Sequence, residues 1–233
     1  MSFSSEALGA VSRMNLQRVP VAVAFLADPP AGLPHVDRAL PAGCSYWKHA
    51  SDGHAFYTLS ADHENCPIGA FTHGVTLAPA KAQELQSLVG MMIELQYLRS
   101  DEVAGIPHRA EPMQCVAYAP LDRASFTPDV VIVCGNVRQI MLVAEAARAA
   151  GVHEGGAAMG RPACAMLPQA MSASASVTSL GCIGNRVYTG LADDELYFAI
   201  PGGAAARVFE KLDVVLTANT TLEAFHQQRA TAV

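Results

Sequence analysis

Apolar positions recur along the chain with two periods, close to two and close to 3.6. Residues 5–16 carry helical spacing behind Ser4 or Ser5 as N-cap. PVAVAF (20–25) is β-branched and apolar and reads as a buried strand, whereas residues 27–43 hold four prolines and two glycines and read as loop. AFYTLSA (55–61) reads as a further strand. From Pro79, a residue suited to a first helical position, Leu85, Leu88, Val89, Met92, Leu95 and Leu98 fall on one helical face. QCVAYAPL (114–121) and DVVIVC (129–134) are strand runs. A helix follows over residues 138–150 with Ile140, Val143, Ala144 and Ala147 together, and Gly151 sits where a C-cap belongs. VTSLGC (177–182) and ELYFAIP (195–201) read as strands, and residues 204–216 read as a helix through Val208, Phe209, Leu212, Val215 and Leu216.

Strands and helices alternate throughout. The fold class predicted is therefore α+β (mixed α/β), a mixed sheet with flanking helices in one domain over residues 1–233. Two stretches echo each other. In each, an apolar strand precedes an isolated cysteine (Cys44, Cys164). A second cysteine follows (Cys66, Cys182), then a glycine eight residues later (Gly74, Gly190), then a proline that opens a helix (Pro79, Pro201). The echo suggests two halves, 18–100 and 113–217, packed about a pseudo-twofold axis with the four cysteines converging on one site; chance recurrence of common strand–turn–helix patterns is the alternative.

Composition narrows the function classes. Of 233 residues 51% are apolar and 15% charged, which excludes a disordered chain and implies a large buried core or a surface covered by another subunit, with a homodimer as the expected state. A net charge of −6 and the lack of a basic run speak against nucleic acid as a partner. No apolar stretch reaches the ~18–20 residues that span a bilayer, and the start of the chain lacks the charged and apolar regions of a secretory signal, so no membrane partner and a cytoplasmic location are expected.

The chemistry rests on six cysteines and eight histidines. Cys115 and Cys134 lie inside strand runs and read as small buried hydrophobes. Cys44, Cys66, Cys164 and Cys182 lie beside glycine, proline or small residues in AGCSYW, ENCPIGA, RPACAM and LGCIGNR, where a loop can aim sulfur at a ligand. Four thiolates suit a tetrahedral zinc ion or an iron–sulfur cluster. No C-x2-C pair is present, which disfavours a zinc ribbon. Buried or turn cysteines without a ligand, and disulfides 44–66 or 164–182, are the other readings, the latter opposed by a reducing compartment.

Five histidines fall between residues 35 and 73: His35, His49, His54, His63 and His73. Any of them could ligate iron or zinc, or act as an axial haem ligand. His63 and His73, which flank Cys66, are the candidate proton carriers or the base for a cysteine nucleophile. Surface histidines of no special role are the plainer reading. Arg161 and Arg186 stand near Cys164 and Cys182 and are candidates to face an anionic cluster or a substrate carboxylate, or else ordinary salt-bridged arginines. The glycine-rich stretch 151–164 follows a helix, the wrong context for a dinucleotide fingerprint, and the turn CGNVRQ after DVVIV offers only a generic anion site. No G-x-S-x-G elbow, P-loop, H-E-x-x-H or C-x-x-C-H is present.

PVAVAF, the isolated Cys44, the Cys66-Pro-Ile-Gly turn, PDVVIV, Arg161-Pro-x-Cys164 and Gly181-Cys182-x-Gly-x-Arg186 together resemble the domain-of-unknown-function family number 169, over roughly residues 10–216. The resemblance implies that Cys44, Cys66, Cys164 and Cys182 are the shared cysteine set with Arg186 beside them. The family's occurrence in archaea and anaerobic bacteria leans toward an oxygen-sensitive cluster. The reading that emerges is an iron–sulfur redox protein, with a 4Fe-4S cluster on those four cysteines. His63 or His73 would move protons, Arg186 would stabilise negative charge, and a redox protein or small molecule would be the partner. A haem- or metal-binding sensor or carrier is the second reading. A non-metal module that binds a small molecule between the halves is the third.

Overall fold

The computed structural model describes residues 3–155 and 161–231. Its helices and strands are α1 (Ser5–Arg13), β1 (Val21–Leu26), α2 (Gly43–Ser51), β2 (Phe56–Leu59), α3 (Pro67–His73) and α4 (Pro79–Glu94). Then come β3 (Cys115–Pro120), β4 (Val130–Asn136), α5 (Val137–Ala149), α6 (Met166–Ala173), β5 (Val177–Ser179), α7 (Ile183–Thr189), β6 (Glu195–Pro201) and α8 (Gly202–Thr231). The α+β class expected from the element order is the class observed. The six strands form one sheet in the order β2-β3-β1-β4-β6-β5. All five pairings between them are antiparallel, a narrower result than a mixed sheet.

Side chains leave a strand alternately on its two faces, and here both faces are buried. In β1, Val21 and Val23 point to one face and Ala22 and Ala24 to the other. The alanine face, continued by Ala117, Ala119, Val131 and Val133, receives α1, α5 and α8 through Ala7, Ala10, Val143, Val208, Phe209 and Leu212. The valine face, continued by Val116, Tyr118, Ile132 and Tyr197, receives Tyr46 and Trp47 of α2 and Met166 and Leu167 of α6. Small residues on the strands let the first helix layer approach closely; large aromatics fill the wider second layer. Burial on two faces accounts for a charged fraction of only 15% without invoking a partner subunit.

The sheet is built from two strand triplets of the same topology. In each, the third strand inserts between the first and the second: β2-β3-β1 on one side, β5-β6-β4 on the other. The triplets meet where β1 pairs antiparallel with β4, Val21 opposite Ile132. Pairing puts β3 in the first triplet, so the boundary between triplets falls between Pro120 and Val130 rather than between residues 100 and 113.

The correspondence extends past the strands. Cys66 and Cys182 are both helix N-caps, with Sγ accepting the N–H of Gly69 and of Asn185, each at 3.4 Å. Each cap opens a seven-residue helix, α3 or α7, that ends on a left-handed glycine, Gly74 or Gly190. A residue with a Cβ would be strained at that φ.

Candidate functional site

The second helix layer leaves a cavity of about 410 Å³. Cys44, on the first turn of α2, and Cys164, on a short 3-10 turn before α6, line it and are almost fully buried. The caps Cys66 and Cys182 line it too and are half-buried. All six cysteines are unpaired thiols. Leu85, Leu88, Val89 and Met92 of α4 line it from the opposite side. Phe71, Leu98, Val103, Ile106 and Ile183 complete an apolar wall.

Burial, with the neighbouring Cys66 and Cys182 adding to it against a hydrogen bond from Asn185, pushes the Cys44 thiol up to about 12. Burial, with Cys66 beside it, pushes Cys164 well above the usual thiol range, the Thr72 hydroxyl opposing. These two are neutral thiols, so the floor of the cavity behaves as a polarizable apolar surface.

This overturns the iron–sulfur reading. The four cysteines share a cavity, but among the described residues no three His, Cys, Asp or Glu side chains are placed to hold a metal ion. Cys66 and Cys182 accept backbone N–H groups as helix caps, and Cys44 and Cys164 are almost fully buried. Neither a 4Fe-4S cluster nor zinc is supported on Cys44, Cys66, Cys164 and Cys182, and the redox function that rested on a cluster goes with it.

The haem and metal-sensor reading falls with the histidines. No histidine is among the described residues that line the cavity. His63 and His73 are fully buried behind it, their rings 5.4 Å apart. His63 Nε2 meets the Thr58 hydroxyl at 2.9 Å. His63 Nδ1 and both His73 nitrogens have no hydrogen-bond partner among the described residues. Burial, reinforced by His73, holds His63 well below the usual imidazole range. Burial, reinforced by the Arg109 guanidinium, lowers His73 to about 4. His35 pairs with Asp62, and His49 stacks on His54.

Arg186 does not face the cavity. Its guanidinium donates to the carbonyls of Leu180 and Ala192, each at 2.8 Å, and so ties together the segments before and after α7. Arg186→Met is expected to lower stability by about 1–3 kcal/mol in urea unfolding, the range for lost charge-assisted hydrogen bonds, while leaving the cavity's affinity for a dye unchanged. Arg161 is the arginine at the cavity, lying 5.2 Å over the Tyr97 ring with both residues in the wall. Of the glycine-rich stretch 151–164, residues 156–160 lie outside the described residues. Asn136, the last residue of CGN, caps α5 by accepting the Gln139 N–H, and the Gln139 side chain accepts the Asn136 N–H in return.

Tyr97, Asn65 and Asn185 are wall residues that sequence reasoning passed over. Asn185 carried a signal: it lies three residues after Cys182, as Gly69 lies three after Cys66, which is the spacing of a cap and its donor. The wall residues on α4 were visible only as an amphipathic stripe, which looks the same whether it faces a core or a cavity.

The model of the family DUF169, described as uncharacterised ArCR, matches residues 11–211, so the chain belongs to this family. An uncharacterised protein of Methanocaldococcus jannaschii is 26% identical over 165 residues, covering 66% of this chain and 68% of that protein. No solved structure matches.

Proposed function

We propose that this protein binds an apolar small molecule in the cavity beneath α4. One observation carries the reading. The four apolar residues of α4 that share a face, Leu85, Leu88, Val89 and Met92, line the cavity, and no residue of α4 is buried. A helix keeps an apolar stripe in water only at a cost, so a stripe over a cavity calls for something to cover it. The principal packing partner of α4 is α3. A cavity of about 410 Å³ lies within the size range of small-molecule sites. The neutral thiols of Cys44 and Cys164 add dispersion contact without adding charge. Six unpaired thiols fit a reducing compartment such as the cytoplasm. No helix among the described residues is long and apolar enough to cross a membrane.

The test uses Nile red, a neutral dye that fluoresces in apolar surroundings. Wild-type protein is expected to bind it saturably at micromolar concentration. Leu88→Glu, which puts a carboxylate into the apolar wall on a helix with no buried residue, is expected to weaken binding at least about tenfold with little change in thermal unfolding. Equal dye binding by the variant, or none by the wild type, would overturn the reading.

A further inference from the structure

The character of the ligand can be narrowed, on the footing that the cavity is a binding site. Its wall is apolar apart from the thiols and a few polar groups, and among the described residues its two charged members are Glu84 and Arg161. Glu84 is paired with Lys81 at 2.8 Å on the exposed side of α4. Arg161 is different. It forms an ion pair with Glu102 at 3.6 Å, too long for a hydrogen bond. The same Glu102 oxygen accepts the Arg99 N–H at 3.0 Å. No hydrogen bond to the Arg161 guanidinium is found among the described residues, although that group carries five N–H donors in a planar fork. Arg161 lies over the Tyr97 ring with 42% of its side chain exposed, so it stands at the mouth, while Cys44 and Cys164 form the floor.

We infer that the ligand is an amphiphile, an apolar body seated against α4 and the thiol floor with a carboxylate at the mouth held by Arg161. A guanidinium fork matches a carboxylate with two parallel N–H···O bonds. Arg161 is the one cation among the described wall residues and Glu102 already lies beside it, so a single negative charge is the most it balances. A phosphate monoester would bring a second charge that no other wall residue neutralises, at the edge of an apolar space where an unpaired charge is costly. The orientation follows from exposure: Arg161, the cation, is partly exposed at the mouth while Cys44 and Cys164 are almost fully buried, so the head stays at the mouth and the apolar end goes in.

Displacement of bound Nile red by decanoate and by decanol tests this, because the two share a chain and differ in the head. Wild-type protein is expected to bind decanoate at least as tightly as decanol, although the free acid anion prefers water. Arg161→Met is expected to weaken decanoate about tenfold more than it weakens decanol, with Arg161→Lys in between because charge remains and the fork is lost. Added salt is expected to weaken decanoate alone. Decanol and Nile red binding with decanoate indifferent to Arg161→Met would overturn the carboxylate assignment and leave the cavity reading standing. No Nile red binding at all would overturn both.

Discussion

Gly202→Ala is expected to prevent the chain from reaching its native fold, whereas Gly203→Ala is expected to fold with equal or slightly higher stability. The two positions are neighbours at the start of α8, and propensity alone favours alanine at both by about 0.5–1 kcal/mol. Space decides between them. A Cβ on Gly202 would lie 1.7 Å from the Pro128 carbonyl oxygen and 2.5 Å from its carbon; on Gly203 nothing stands within 4 Å. The obstructing atoms are backbone, and that backbone is held from several sides. The Gly202 N–H donates to Asp129 O at 2.7 Å, and Asp129 N–H donates to Val23 O at 2.9 Å. The Asp129 carboxylate accepts the Phe25 N–H at 2.7 Å, and the next residue, Val130, pairs with Pro201. Relief of the clash would pull β6 from β4, or β4 from β1, at the seam between the two strand triplets. The expected loss is at least about 4–5 kcal/mol, a large part of the 5–15 kcal/mol that separates most folded chains from unfolded ones. Soluble yield and urea unfolding followed by circular dichroism read the result. A Gly202→Ala protein that unfolds near the wild-type midpoint would contradict the packing.

Elements with a long apolar period were legible in the sequence. The strand expected at residues 20–25 is Val21–Leu26, that at 195–201 is Glu195–Pro201, and the helix expected at 138–150 is Val137–Ala149. The elements passed over are short: α2, α3, α6 and α7 have seven to nine residues each. Two of them are capped by cysteine, which stands outside the Ser, Thr, Asp and Asn set that marks a helix start. Those caps are why Cys66 and Cys182 looked like ligands: a thiol beside glycines, aimed at backbone N–H groups, reads the same whether the N–H groups serve a helix end or a metal site. Helix α8 runs on to Thr231, past its last buried residue, Val215, through residues with no stripe to announce it. The sequence favoured Arg186, in the Gly-Cys-x-Gly-x-Arg element, over Arg161 as the residue facing negative charge. Only the fold separates a guanidinium bound to two carbonyls from one that lines the cavity beside a looser ion pair with Glu102.

Stability is expected to fall by about 2 kcal/mol between pH 8 and pH 5 through His73, with His63 acting in the same direction. Both rings are fully buried and neutral in the fold. The Phe25 ring lies 5.5 Å from His73, and Arg109, paired with the exposed Glu111, stacks on Phe25 at 4.4 Å, so a proton on His73 would face the Arg109 cation. Burial, with Arg109 adding to it, therefore lowers His73 to about 4. Once unfolded, the same ring takes its proton near pH 6.5. The stabilising contribution is complete above pH 6.5. Below that the unfolded chain binds a proton the native one refuses, and stability drops by about 1.4 kcal/mol per pH unit until the native ring titrates near 4. His73→Leu keeps a similar volume, removes two buried nitrogens without partners, and takes away this dependence. The variant is expected to match or exceed the wild type at pH 8 and to exceed it clearly at pH 5, in urea titrations across that range. A wild type whose unfolding free energy stays level from pH 8 to pH 5, or a His73→Leu protein with the wild-type slope, would show that these imidazoles reach water without unfolding. Solvent access to His73 would also expose the back of the cavity, because a Cβ on Gly43, a wall residue, would lie only 3.4 Å from the His73 ring. The pH slope thus reports whether the cavity is closed at its base, as a site for an apolar ligand has to be.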